Sequence, residues 1–250
     1  MTPTVLITGG GSKRGIGRAT ALRFAALGYA VAVLDLDDAG AEETAREATT
    51  AGSPAVFAAH VDVTDQSSVT AAVRAAEAAL PPVTVLANIA GISSPTRFEN
   101  ITLEEWERIF AVNVRGTFLV TQAVLPGLRE RGYGRIVNMS SVSGQRGGGV
   151  FGASHYAASK AAILGLTRTL ARETEGQGIT VNAVAPSMVD TDITQGAMTE
   201  ERKAELAATT LLGRLATPAD VAGTIVFLAS PDASYLTGAT IDVNGGSHLH

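Results

Sequence analysis

Short β-branched runs alternate with Ala-rich stretches of helical length along this chain, beginning with the run from Thr4 to Thr8 and the helical stretch that follows it. Apolar runs this short, bounded by glycine or polar turns, fit strands buried on both faces of a parallel sheet, because each helix must cross back over the sheet. The pattern predicts strands near residues 4 to 8, 31 to 36, 55 to 61, 83 to 87, 134 to 140, 178 to 184 and 240 to 243. Ile16, Ala19, Leu22 and Phe24 can face the sheet from the first helix, and Gly28 ends that helix. Thr102 with Glu105 and Thr217 with Asp220 resemble capping boxes, the second with Pro218 in the first helical position.

This alternation predicts an α/β fold, a doubly wound Rossmann arrangement of seven parallel strands flanked by helices. No linker, repeat or low-complexity block interrupts residues 1–250, so one domain is expected. The least constrained regions read as substrate loops near 144–155 and 190–212, both following strands at the ligand-binding end of such a sheet.

Composition narrows the possibilities. The chain has 250 residues, 46% hydrophobic and 17% charged, enough to bury a large core. Its longest uninterrupted apolar runs fall short of the roughly 20 residues of a membrane helix, and no basic, signal-like start is present. A cytoplasmic protein without a membrane partner is expected. Having no cysteine excludes disulfides, thiolate zinc sites and cysteine nucleophiles. A net charge of -5 without clustered Lys or Arg speaks against nucleic acid. The four histidines, His60, His155, His248 and His250, show no metal-ligand spacing, so no metal is expected. Hydrolase patterns such as G-x-S-x-G and H-E-x-x-H are absent.

Between Thr8 and Arg18, five glycines fall in the nine positions from Gly9 to Gly17, directly between a strand and a helix. Small residues let main-chain N–H groups and the positive helix end face a pyrophosphate. The strict G-x-G-x-x-G and Walker patterns are both missing, and a packing turn is the bland alternative. Asp35 ends the second strand, 18 residues after Gly17, where a carboxylate can accept from both ribose hydroxyls and would repel the 2′-phosphate of NADP. NAD is therefore favoured over NADP, although Lys13 and Arg14 offer charge to a 2′-phosphate and Asp35 could simply cap the next helix.

Tyr156 and Lys160 lie four apart on a predicted helix and can share one face. A nearby ammonium favours a phenolate, so the pair could bring the tyrosine into a range useful for proton transfer. An ordinary amphipathic helix face gives the same spacing.

These segments together resemble the short-chain dehydrogenase/reductase family over nearly the whole chain. "TGGGSKRGIG" resembles its cofactor turn, "HVDVTD" its adenine-pocket segment, "NIAG" its strand-stabilising motif and "VNVRG" the segment of its catalytic asparagine. "IVNMSSVSG", "HYAASKAA", "VNAVAPSMVDTD" and "YLTGATIDVNGG" continue the match in order. The resemblance implies catalysis by Asn113, Ser141, Tyr156 and Lys160. Tyr156 would move the proton, Lys160 would also hold the nicotinamide ribose, and Asn113 would hold a water linking Lys160 to solvent. Ser141 would hold the reacting oxygen, a choice over the adjacent Ser140 that rests on the motif alone. It further implies cofactor contacts at Gly9, Ser12, Gly15, Ile16, Gly17, Asp35, Asp62, Val63, Asn88, Ala90 and Gly91, besides Tyr156 and Lys160. Pro186, Val189 and Thr191 would grip the carboxamide. A homotetramer is implied, with the helix after Tyr156 and the C-terminal segment in its interfaces.

The match departs at Lys13 and Arg14, two extra residues in the turn, at Ile89 and at Ser187. The stretch from Ser141 to Tyr156 is also longer, which brings Arg146, Phe151 and His155 forward as substrate contacts, against a plainer role as loop residues. The expected activity is hydride transfer between NAD(H) and a small polar alcohol such as a sugar, polyol or hydroxy acid. The alternative is an NADPH-dependent 3-oxoacyl reductase. A binding protein that has lost turnover is disfavoured by the intact Ser141, Tyr156 and Lys160.

Overall fold

The computed structural model describes residues 2–148, 152–194 and 199–249. Seven strands, β1 (Thr4–Thr8), β2 (Ala30–Asp35), β3 (Val56–His60), β4 (Val83–Asn88), β5 (Gly134–Met139), β6 (Ile179–Pro186) and β7 (Thr240–Val243), lie within a residue or two of the expected positions. They form one parallel sheet in the order β3-β2-β1-β4-β5-β6-β7. The order reverses between β1 and β4, where connections leave in opposite directions and open a crevice at the carboxyl ends of the strands.

Helices cover both faces. On one side lie α1 (Ile16–Ala26), α2 (Asp38–Thr50) and the late helix α9 (Pro218–Ala229); on the other lie α3 (Gln66–Ala79), α5 (Gly116–Arg131) and α7 (Ser154–Glu173). Three shorter helices, α4 (Leu103–Phe110), α6 (Val142–Arg146) and α8 (Glu200–Ala207), lie nearer the crevice or the rim. Strand alternation sorts the core. Val5, Ile7, Val31 and Val33 meet Phe24, Val221 and Ile225 on the first side, while Leu6, Leu34 and Leu86 meet Val73, Val120 and Leu128 on the second. Each fully buried Leu, Ile or Phe contributes roughly 1.5–3 kcal/mol, so these two layers dominate the stability.

Several local expectations change once packing is seen. In α1 the buried face is Gly17, Thr20, Ala21, Phe24 and Ala25, while Ile16, Ala19 and Leu22 are only half-buried. Small residues win that face because α1 must lie close against β1 and α9. The Thr217–Asp220 capping box forms in full, with Pro218 opening the helix. At Thr102 only half of one forms: Thr102 Oγ1 accepts from Glu105 N at 3.1 Å, but the Glu105 carboxylate turns to Ser94 and His155. The two stretches read as loops carry helical structure in α6, the start of α7, a short turn at Asp192–Thr194 and α8.

The stretch Leu103–Arg131 runs as one helical rod, α4 and α5 joined by a π-helical turn at Ala111–Arg115. By length and composition it is long and apolar enough to cross a bilayer, yet Leu119, Val120, Val124 and Leu128 are buried against the sheet and α3.

Candidate active site

A cleft of about 940 Å³ lies over the carboxyl ends of the strands and reaches from the glycine-rich turn to α7. At one end, β1 passes through Gly9, which takes a positive φ of 77°, into the turn and then α1. A side chain at Gly17 would come within 2.1 Å of the Gly9 carbonyl oxygen, so only glycine lets the helix sit this close to the turn. Gly15 caps α1 with no side-chain hydrogen bond among the described residues. Gly15 and Ile16, at the positive end of α1, line the cleft, a fit for phosphate oxygens.

Asp35 stands at the end of β2 on the cleft wall. Its Oδ2 accepts from Gly11 N at 2.7 Å and its Oδ1 from Asp37 N at 3.0 Å, which fixes the carboxylate beside the turn. The basic residues of the turn are committed elsewhere. Lys13 pairs with Glu43 at 3.6 Å, and Arg18 pairs with Glu43 and Glu47. Arg14 spans to the segment after β6: its guanidinium pairs with Asp190, and its N–H donates to Asp192 Oδ2 at 3.0 Å, beside a 2.8 Å bond from Ser12 Oγ.

At the other end, β5 delivers Ser140 and Ser141, and α7 delivers Tyr156 and Lys160. Geometry separates the two serines. Ser140 Oγ donates to the Lys160 carbonyl at 2.8 Å and is spent on structure. Ser141 caps α6, accepts from Ser143 N at 3.1 Å, makes only a long 3.4 Å bond to the Pro186 carbonyl, and lies close enough to the Tyr156 hydroxyl to lower its pKa. Lys160 Nζ lies 5.7 Å from the Tyr156 ring centre and donates to the Met139 carbonyl at 2.8 Å.

The expected acidification of the phenol by its neighbouring ammonium does not describe this arrangement. Desolvation pushes the Tyr156 pKa up, opposed by the Ser141 hydrogen bond. Tyr156 is only half-buried and lines the cleft, so water offsets part of that push. Burial also lowers Lys160, to about 8, which brings the ammonium near its own neutralisation. Both groups therefore titrate under the control of burial, and Lys160 spends its closest contact on a carbonyl.

Asn113, in the π-helical turn, is almost fully buried, and its side chain is committed to protein partners. Oδ1 accepts from Ile92 N at 2.9 Å, and Nδ2 donates to Ile92 O and Ser159 Oγ, both at 3.0 Å. This clamps the chain after β4 to α7, the role of a buried amide satisfying backbone. Asn88 is likewise internal, donating to Thr121 Oγ1 and Asn138 Oδ1 at 2.9 Å.

The family model described as Enoyl-(Acyl carrier protein) reductase matches residues 9–248. A short-chain type dehydrogenase/reductase of Sinorhizobium fredii is 42% identical over 99% of this chain and 98% of its own. The chain is a short-chain dehydrogenase/reductase. It is also 41% identical to the (3R)-3-hydroxyacyl-CoA dehydrogenase of Mus musculus, over 96% of this chain and 94% of that one. Among solved structures, a 3-oxoacyl-[acyl-carrier protein] reductase with bound NAD from Brucella melitensis superposes with a TM-score of 0.90 at 36% identity. That match covers 99% of this chain and 92% of the other.

Within this oxidoreductase, most residues singled out by sequence line one cleft. Gly9, Ser12, Gly15, Ile16, Asp35, Asp62, Val63, Ala90 and Gly91 line its cofactor side; Ser141, Tyr156 and Lys160 line its far wall, with Pro186, Val189 and Thr191 between. Gly17, Asn88 and Asn113 stand behind the lining as packing and clamping residues. Arg146 lines the cleft and donates to the Ser247 carbonyl at 2.9 Å, whereas His155 is wholly buried and does not reach it. Phe151 lies outside the described residues. Sequence reasoning missed Ser159, Asp190 and Asp192, whose roles in the site depend on partners 46 to 180 residues away.

Proposed function

We propose that this short-chain dehydrogenase/reductase exchanges a hydride between NAD(H) and the third carbon of a 3-oxoacyl or 3-hydroxyacyl thioester. The observation that carries the reading is the convergence of Ser141, Tyr156 and Lys160 on the same cleft as the glycine-rich turn and Asp35. Bound against that turn, the nicotinamide cofactor supplies or accepts the hydride. Tyr156 gives its proton to the substrate oxygen in reduction and takes it back in oxidation, and Ser141 donates a hydrogen bond to the same oxygen. Lys160 would hold the cofactor's ribose and keeps its positive charge beside the Tyr156 ring. Asn113 acts through Ile92 and Ser159, keeping the loop after β4 against α7.

Asp35 supports NAD over NADP, because its fixed carboxylate meets a 2′-phosphate with like charge. Lys13, Arg14 and Arg18 would each have to give up carboxylate partners to compensate. Relatives named for 3-hydroxyacyl and 3-oxoacyl substrates support the thioester over the sugar, polyol or hydroxy acid expected from sequence. The cleft agrees in chemistry: Ile92, Val142, Met188, Ile193 and Leu206 offer an acyl chain apolar contact, whereas a polyol needs a polar partner for each hydroxyl. A cofactor-absorbance screen of oxoacyl thioesters, sugars, polyols and hydroxy acids with NAD(H) and NADP(H) tests the reading. Thioester turnover with NADH is expected, and exclusive turnover of a polyol would overturn it.

The enzyme is read as a cytoplasmic homotetramer. Supporting assembly, Trp106 and Phe110 stack at 5.0 Å on a shallow groove that also includes Phe118, 46% exposed. Light scattering at working concentration should give four chains; a monomer would contradict it.

A further inference from the structure

Behind the cleft wall, His155, Glu105, Ser94 and Thr96 form an ionisable cluster to which proton transfer gives no task. The His155 side chain has no solvent exposure, and its Nε2 lies 3.3 Å from Glu105 Oε1. The same oxygen accepts from Ser94 Oγ, and Thr96 Oγ1 lies 3.0 Å from that serine hydroxyl. These hydrogen bonds, Ser94 first, hold Glu105 below the usual carboxylate range, so it is an acceptor at neutral pH. Nε2 of His155 is therefore the donor, leaving Nδ1 with no partner among the described residues.

The position of this cluster gives it consequence. Tyr156 lies in the first turn of α7, and Ala153 caps that helix with no side-chain hydrogen bond. No local capping device thus orders the turn that carries the hydroxyl. Tertiary bonds reach it instead: Ala153 N donates to Ser94 O at 2.9 Å, and His155 joins Glu105 on α4. Ser94 belongs to the segment after β4 whose Ile92 and Ser93 line the cleft, so the cluster ties the cleft wall to the turn of Tyr156.

We propose that His155, tethered by Glu105, is a positioning residue that fixes the first turn of α7 and so aims the Tyr156 hydroxyl at Ser141 and the substrate oxygen. The inference rests on Tyr156 as the proton-transfer residue. Displacing a reacting group by a fraction of its bond length costs rate while leaving distant contacts intact, and the glycine-rich turn and Asp35 lie on other elements than the first turn of α7.

The test compares wild type, His155→Leu, His155→Gln and Tyr156→Phe in kcat with a 3-oxoacyl thioester, in NADH affinity by fluorescence titration and in melting temperature. Leucine fills the site without a donor, whereas glutamine restores an N–H near the Nε2 position. His155→Leu should lose about tenfold in kcat with NADH affinity within about twofold and no drop in melting temperature. His155→Gln should recover to within about threefold of wild type. Wild-type kcat in His155→Leu, or a loss matched by NADH affinity or melting temperature and not rescued by glutamine, would overturn the positioning role. Tyr156→Phe separates the two ideas: if it keeps its turnover the assignment of Tyr156 fails, and if it alone loses turnover only the role of His155 fails.

Discussion

The two ends of the cleft are built in opposite ways. At the glycine-rich end, the cleft offers backbone N–H groups and carboxylates near the surface, with Lys13, Arg14 and Arg18 all in ion pairs. At the catalytic end, Ser141 and Lys160 are buried, and Asn113 behind them has its whole amide in hydrogen bonds. Charge near water is screened and exchangeable, so the first end can set which dinucleotide binds with a modest effect on stability. Charge in a packed wall acts at full strength and costs desolvation, so the second end trades stability for chemistry.

Substitutions can break that contrast or sharpen it. The largest effect belongs to Tyr156→Phe, which should lower kcat by at least about a hundredfold with NADH affinity retained, measured by steady-state assay and fluorescence titration. Lys160→Met should abolish most turnover yet raise the melting temperature at pH 7, by a gain of about 1–3 kcal/mol. The sign follows from a folded-state pKa of about 8 against an ordinary 10.5: the cost of the buried ammonium is full below pH 8 and gone above 10.5. The gap between wild type and variant in a melting series should therefore close across that window, and a gap constant with pH would mean that packing alone is responsible. Asp35→Ala should move the NADP-to-NAD preference by at least about tenfold while costing about 1–2 kcal/mol through the two backbone N–H groups it leaves without their acceptor, and an unchanged ratio in kcat/KM would remove Asp35 from cofactor choice. Smallest is Thr217→Ala, which removes one side of the α9 capping box and should cost about 1 kcal/mol in thermal melts while leaving both ends of the cleft unchanged.

The same contrast explains what could be read from sequence. Strands such as Val5–Ile7 and the Tyr156–Lys160 pair carry their signal in local periodicity, and the glycine-rich turn in local composition. Ser140 and Ser141 could not be separated that way, because the difference lies in which one meets the Lys160 carbonyl. Arg14 looked like a free cation because its partners, Asp190 and Asp192, are more than 170 residues away. Glu105 had the spacing of a capping partner for Thr102, but Ser94 and His155 compete for its carboxylate with bonds that exist only after α4 and α7 pack together. Burial likewise reversed the expected shift of Tyr156, since spacing along a helix reports nearness to Lys160 but not the loss of water around both groups.

The central claim is that this cleft delivers a hydride to the third carbon of an acyl thioester while Tyr156 protonates the oxygen. NADH carrying deuterium at both positions of its reactive nicotinamide carbon, mixed with a 3-oxobutyryl thioester and the enzyme, tests it by mass spectrometry of the product. The account predicts a 3-hydroxybutyryl thioester with one deuterium on its third carbon, formed in step with NADH oxidation. Unlabelled product, or NADH and thioester both left unconsumed, would contradict it.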